Sequence, residues 1–191
     1  MRTANEANKE KFLKAAVSEL EEHGVSDFSI RRVAKKCGVS CAAPYKHFDG
    51  KSGLLLEVMR YIRKKWDDIL RSTVETHKGE PVRQQIVAVC MAYITFLCTY
   101  TDYQTILNMN DRGFPPEMLE EKSKLTDTAQ NMINEYCLSV NMPDDVRVRK
   151  QFVVLSIIYG AAIMINSGVL PFEIGTLEMI RRNIEREFEL E

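Results

Sequence analysis

No Cys-x-x-Cys pair, no internal repeat and no low-complexity tract occurs in this sequence. The first ten residues, Met1 to Glu10, are polar and lack the apolar segment of a secretion signal. The longest apolar stretch, Phe152 to Ile165, is broken by Ser156, Tyr159 and Gly160, short of the ~20 residues of a membrane span. A buried helix is expected there, and the chain reads as cytoplasmic. Five cysteines (Cys37, Cys41, Cys90, Cys98, Cys137) form an odd set, which argues for reduced thiols. No histidine near Cys37 and Cys41 is spaced as a zinc ligand, so no metal or other cofactor is expected. Alternating apolar and polar residues, the mark of a strand, are also missing at any useful length. What remains is an all-α chain.

Net charge is only −1, but the two ends differ. Residues 1–65 hold 14 Lys/Arg against 8 Asp/Glu, a net +6; the remainder holds 12 against 19, a net −7. A basic first third joined to an acidic body predicts a nucleic-acid-binding domain followed by a domain with another task. At 191 residues the chain is long enough to bury a core in each.

Residues 26–51 carry the densest signals. Ser29 is placed to cap a helix whose Ile30, Val33, Ala34 and Cys37 fall three and four apart on one buried face. Gly38 can end that helix in the left-handed conformation, and Val39 is expected to plug the corner. Ser40 then caps a short second helix, with Tyr45, Lys46 and His47 outward and Phe48 anchored inward. Pro44 lies within about one turn of that cap, where a lost N–H is tolerable, though it should tighten or distort the helix. Asp49-Gly50 turns the chain and Lys51 opens the next helix. This is a helix-turn-helix pattern, whose second helix suits the major groove.

From Phe12 to Leu56 the chain resembles the DNA-binding domain of the TetR family of bacterial regulators. The residues that carry the likeness are Ala15-Ala16, Gly24, Ser29, Val33-Ala34, Gly38-Val39-Ser40, Tyr45, His47-Phe48, Lys51 and Leu54-Leu55. Two positions depart from the common pattern: Ala42 where glycine is frequent, and Pro44 where an aliphatic residue is. The resemblance and residue type together make Ser40, Tyr45, His47 and Lys51 phosphate-contact candidates, and Ser29 is counted with the DNA-binding residues. Arg31 and Lys46 are candidates for guanine edges, and Cys41, Ala42 and Ala43 for apolar contact with thymine methyls.

About nine helices are expected, with bounds near 5–23, 30–37, 40–48, 51–77, 81–100, 103–108, 117–140, 145–166 and 173–188, the eighth capped by Asp144. The first 50 residues form the helix-turn-helix domain; residues 51–191 form an effector-binding and dimerisation domain, with helix 51–77 linking the two. Arg60, Arg63, Lys64 and Lys65 on that helix read as a solvated face. The resemblance implies a twofold dimer through the last two helices, with Phe152, Gly160, Ala161, Leu177, Ile180, Ile184 and Phe188 at the interface. It also implies an apolar effector pocket, for which Tyr93, Phe96, Tyr100, Tyr103, Met109, Met132, Tyr136 and Tyr159 are the candidates. No nucleophile and carboxylate are arranged around His47, while His23 and His77 sit at helix ends, so no catalytic residue is expected. The function implied is a homodimeric regulator, expected to be a repressor, that binds a palindromic double-stranded operator and is released by a small, largely apolar effector. Two other classes stay open: the same regulator controlled by a protein partner, and a helical enzyme or sensor with vestigial DNA binding.

Overall fold

The computed structural model describes residues 4–108 and 114–189, with the backbone alone at 4–7 and 105. Among the described residues every regular element is helical. The chain runs through α1 (Ala4–His23), α2 (Ile30–Lys36), a 3-10 turn (Pro44–Lys46), α3 (Gly50–Thr76) and α4 (Val82–Thr99). It continues through α5 (Thr101–Asn108), α6 (Pro116–Ser139), α7 (Asp144–Asn166) and α8 (Ile174–Arg186). These α-helices keep close to their expected bounds. Asp144 is an exception in detail: it stands in the first turn of α7, and Pro143 takes the cap position without a side-chain bond.

The expected second helix of the helix-turn-helix is the main departure. Residues 40–48 form no α-helix. Ala43 N–H donates to Ser40 O at 3.0 Å, Lys46 N–H to Ala43 O at 3.2 Å and His47 N–H to Pro44 O at 2.9 Å, all three-residue bonds. Pro44 explains why: it has no N–H to give the Ser40 carbonyl, and its ring crowds that carbonyl. The cap position falls to Ala43, not Ser40, and carries no side-chain bond. Val39, expected in the corner, is 41% exposed; Pro44 is buried instead.

The residues cluster into two compact units, Met1–Lys65 with Asp102–Lys124, and Trp66–Thr101 with Leu125–Glu191. That division differs from 1–50 and 51–191, because α5 and the start of α6 group with the beginning of α3. Within the first unit Tyr61 and Tyr103 meet edge to face at 6.3 Å, and Arg63 pairs with the buried Glu121 at 2.7 Å. Arg60 donates to Glu57 at 2.8 Å, and Lys65 lies 5.7 Å above the Tyr61 ring. So Arg60, Arg63 and Lys65 are not simply solvated: carboxylates and a ring hold them.

The first unit's core is Phe12, Ala16, Leu20, Val33, Ala34, Phe48, Leu54, Leu55 and Val58, all buried. Each Leu or Phe so buried contributes about 1.5–3 kcal/mol relative to exposure. Glu19 of α1 is fully buried among polar partners. Its carboxylate accepts from Ser29 N–H at 3.3 Å and from Arg32 Nε, and faces Lys36 Nζ at 3.5 Å. One carboxylate thereby fixes α2 to α1 at both ends. Lys11 donates to Cys37 O at 2.9 Å, closing the carboxyl end of α2.

In the second unit α4 packs on α7 and α8, and α7 on α8. By length and composition alone α4 and α7 would each fit a membrane span, as core helices of this length also do. The last turn of α8 is held by donors from three other helices. Arg83 and Tyr136 donate to Phe188 O at 3.1 and 3.2 Å, and Lys150, buried on α7, donates to Glu187 O. Cations at a helix carboxyl end are favoured by its dipole as well as by the open carbonyls. Burial pushes the Cys90 thiol up to about 12 and the Cys98 thiol up to about 11, so both stay protonated at neutral pH.

Candidate nucleic-acid interface

Ser29 caps α2, its hydroxyl accepting from Arg32 N–H at 3.5 Å. Ile30, Val33, Ala34 and Cys37 all face inward, as their spacing requires, and Gly38 ends the helix at φ +68°. The opposite face of α2 therefore points to solvent, and Arg31 and Lys35 lie on it, four residues apart and both exposed. The segment after Gly38 is anchored by Pro44 and Phe48, with Phe48 edge-on to Phe12 at 6.0 Å. Those anchors turn the residues between them outward: Ser40, Cys41, Ala42, Tyr45 and Lys46 are exposed, Tyr45 by 58%. Ala43 and His47 are half-buried, the His47 ring 5.6 Å from Phe12.

Arg31, Arg32, Lys35, Gly38, Val39 and Cys41 together line an open depression of about 460 Å³. Four of these, Arg32, Lys35, Gly38 and Val39, are not among the sequence candidates. The helical spacing of Lys35 from Arg31 was the signal that pointed to it; Val39 was legible only once the corner was known to be filled by Pro44. Arg32, by contrast, is turned to the protein: the Glu19 carboxylate beside it raises its pKa, and Asp27 adds to this. Lys51 is likewise engaged, its ammonium donating to Val25 O at 2.7 Å and Ser26 O at 3.5 Å. It ties the loop after α1 to the start of α3, with one N–H left for another acceptor.

The face thus carries guanidinium, ammonium, phenol and thiol groups around small residues. Donors and cations of this kind meet phosphates and guanine edges, and small side chains permit close approach to bases.

The other candidates separate. Tyr93, Phe96, Tyr100 and Tyr159 gather around Trp66, which is not among the sequence candidates. Centroid distances are 4.8 Å for Trp66–Tyr93, 5.6 Å for Trp66–Phe96, 5.3 Å for Phe96–Tyr100 and 6.3 Å for Tyr93–Tyr159. Tyr136 is elsewhere, against Phe188 at 5.8 Å. Tyr103 belongs to the first unit, Met132 is half-buried, and Met109 lies outside the described residues. Among the interface candidates, Ala161, Ile180, Ile184 and Phe188 are buried within the chain itself, at 7, 3, 0 and 0% exposure. The α8 stripe faces inward, so it is core and not a docking face. Leu177 is half-buried; Phe152 is 70% exposed. A Cβ on Gly160 would meet nothing within 4 Å, so no close approach inside the chain requires glycine there.

A short helical turn presented beside an exposed basic helix face, where every regular element among the described residues is helical, defines the class: the fold is that of a helix-turn-helix transcriptional regulator. Residues 12–58 match the family model of bacterial regulatory proteins, tetR family. The chain carries the TetR-family module there, and its whole length has the TetR-type fold. It is similar to a TetR family transcription regulator from Marinobacter aquaeolei VT8, at 18% identity over 98% of both chains and a TM-score of 0.76. The fatty acid metabolism regulator of Clostridium perfringens is 11% identical over 95% of this chain and 100% of its own, at a TM-score of 0.75. The regulator FadR from Bacillus subtilis, in complex with stearoyl-CoA, is 13% identical over 94% of this chain and 99% of its own, at 0.70. No curated protein matches the sequence.

Proposed function

We propose that this chain is a homodimeric repressor that binds a palindromic operator and leaves it when an apolar acyl effector occupies the second unit. The observation that carries the reading is the outward face built by Arg31, Lys35, Cys41, Ala42, Tyr45 and Lys46 on a packed anchor of Pro44 and Phe48. One such face reads few base pairs, so two copies about one DNA turn apart are needed for useful discrimination. The likeness to FadR with stearoyl-CoA supports long-chain acyl thioesters as the effector class. Dimerisation is assigned to the exposed residues Phe152, Ser156, Ile163 and Met164 of α7 with the half-buried Gly160 among them, which share a face at three- and four-residue spacing. Release is linkage: an effector that binds better to a dimer with wrongly spaced heads weakens operator affinity by its differential affinity for the two states. The site of action is the cytoplasm, where operator and acyl thioester are both present.

Selection of bound sequences from random duplex DNA with the purified protein tests the reading. A palindromic consensus is expected, and Arg31→Ala should weaken binding to it by about 1–3 kcal/mol and relax the preference at one position per half-site. Recovery of no consensus, or an Arg31→Ala protein that binds as tightly and selectively as the parent, overturns it.

A further inference from the structure

Two backbone bonds close the corner after α2: Gly38 N–H to Lys35 O at 3.0 Å and Val39 N–H to Ala34 O at 3.1 Å, the pair that defines a Schellman motif. In that motif the residue at the position of Val39 commonly folds an apolar side chain back onto its own helix. Here Pro44 is buried at the corner, and Val39 keeps 41% of its surface exposed. The bonds fix the backbone that carries Val39, and a β-branched side chain has little rotamer freedom left to lose. Val39 lines the open depression with Gly38 and Cys41, and Arg31, Arg32 and Lys35 complete the lining. A Cβ on Gly38 would meet nothing within 4 Å, so the space beside the corner is open. Arg32 is held by Glu19, whereas Arg31 and Lys35 are exposed. A thiol packs as a small apolar group, so Val39, Gly38 and Cys41 make an apolar patch beside two exposed cations.

A patch of that make-up is complementary to one feature of the major groove. The cations match phosphates and the N7 and O6 of guanine, and the one methyl group that a base edge presents there is the C5-methyl of thymine. A carbonyl or amino edge would be stripped of water against Val39 with no bond in return. We infer that Val39 is a specificity-determining residue, which packs on a thymine methyl next to the guanine read by Arg31. The inference rests on the operator reading above and adds a base to it: each half-site carries a guanine with a thymine as its neighbour. Arg31 and Val39 line the same depression, so they reach adjacent base edges, which are stacked ~3.4 Å apart along a strand.

The test uses the full-length protein and the consensus duplex recovered by selection. In that duplex deoxyuridine replaces the thymine beside the guanine whose preference Arg31→Ala relaxes, which deletes the methyl and leaves every hydrogen-bonding edge intact. Binding is expected to weaken about fourfold when one half-site is changed and about fifteenfold when both are, the scale of one buried methyl each. In Val39→Ala the thymine and deoxyuridine duplexes should bind about equally, while the preference for guanine persists. Val39→Thr, which keeps the shape and exchanges a methyl for a hydroxyl, should lower the thymine preference likewise, and it decides the matter if the alanine variant fails to fold. Equal binding of the two duplexes by the parent protein overturns the inference and leaves the operator reading standing. A consensus with no thymine beside that guanine does the same. A folded Val39→Ala protein that keeps the full thymine preference also overturns it, because another residue then reads the methyl. If selection recovers no consensus, both readings fall.

Discussion

The two units tie their helices together by different means. In the first, the acceptors are buried carboxylates: Glu19 meets Arg32, Lys36 and the Ser29 N–H, and Glu121 meets Arg63, joining α1 to α2 and α3 to α6. In the second, they are backbone carbonyls: Glu187 O accepts from Lys150, and Phe188 O from Arg83 and Tyr136. The difference also separates what each unit shares with known proteins: the family match ends at residue 58, while the likeness beyond it is of fold alone.

This contrast is open to attack from either side. The largest effect is expected for Phe188→Ala, which empties a fully buried site at the end of α8 and should cost about 3–5 kcal/mol in guanidinium unfolding followed by Trp66 fluorescence. A loss under 1 kcal/mol would mean the last turn of α8 is not part of the second unit's core. Next comes Glu19→Ala, which removes a buried carboxylate from its ion-pair partners; because Arg32 and Lys36 are partly exposed, the loss is expected at the low end for such a pair, about 3 kcal/mol. Far-UV dichroism should register that loss while the Trp66 transition keeps its midpoint; if both probes move together, the units unfold as one and the contrast weakens. The smallest effect belongs to Pro44→Ala, within about 1 kcal/mol, since the gained N–H and the gained freedom of the unfolded chain offset one another. Amide exchange should then show residue 44 protected and residues 40–48 turned toward α-helix; if they keep the 3-10 pattern, Pro44 is not its cause.

Most helices were legible because their signals are local. Ser29, the apolar spacing of α2 and Gly38 fix that helix within a residue, and Gly79-Glu80-Pro81 marks the break before α4. The recognition segment is harder to place: Pro44 announces a tightened or distorted helix, but not that residues 40–48 form no α-helix at all. Periodicity showed that Ile180, Ile184 and Phe188 share a face of α8, yet it says nothing of whether that face meets the chain's own core or another molecule. Long-range electrostatics stayed hidden too. Nothing near Arg63 in sequence announces Glu121, and nothing near Lys150 announces the carbonyl of Glu187, because each partner arrives only with the fold.

Side chains from α4, α6 and α7 all terminate on the carbonyls of Glu187 and Phe188, much as spokes meet a hub. Deleting the chain from Glu187 onward would strip Lys150, Arg83 and Tyr136 of their acceptors at one stroke, so three helices would lose a shared fastening together.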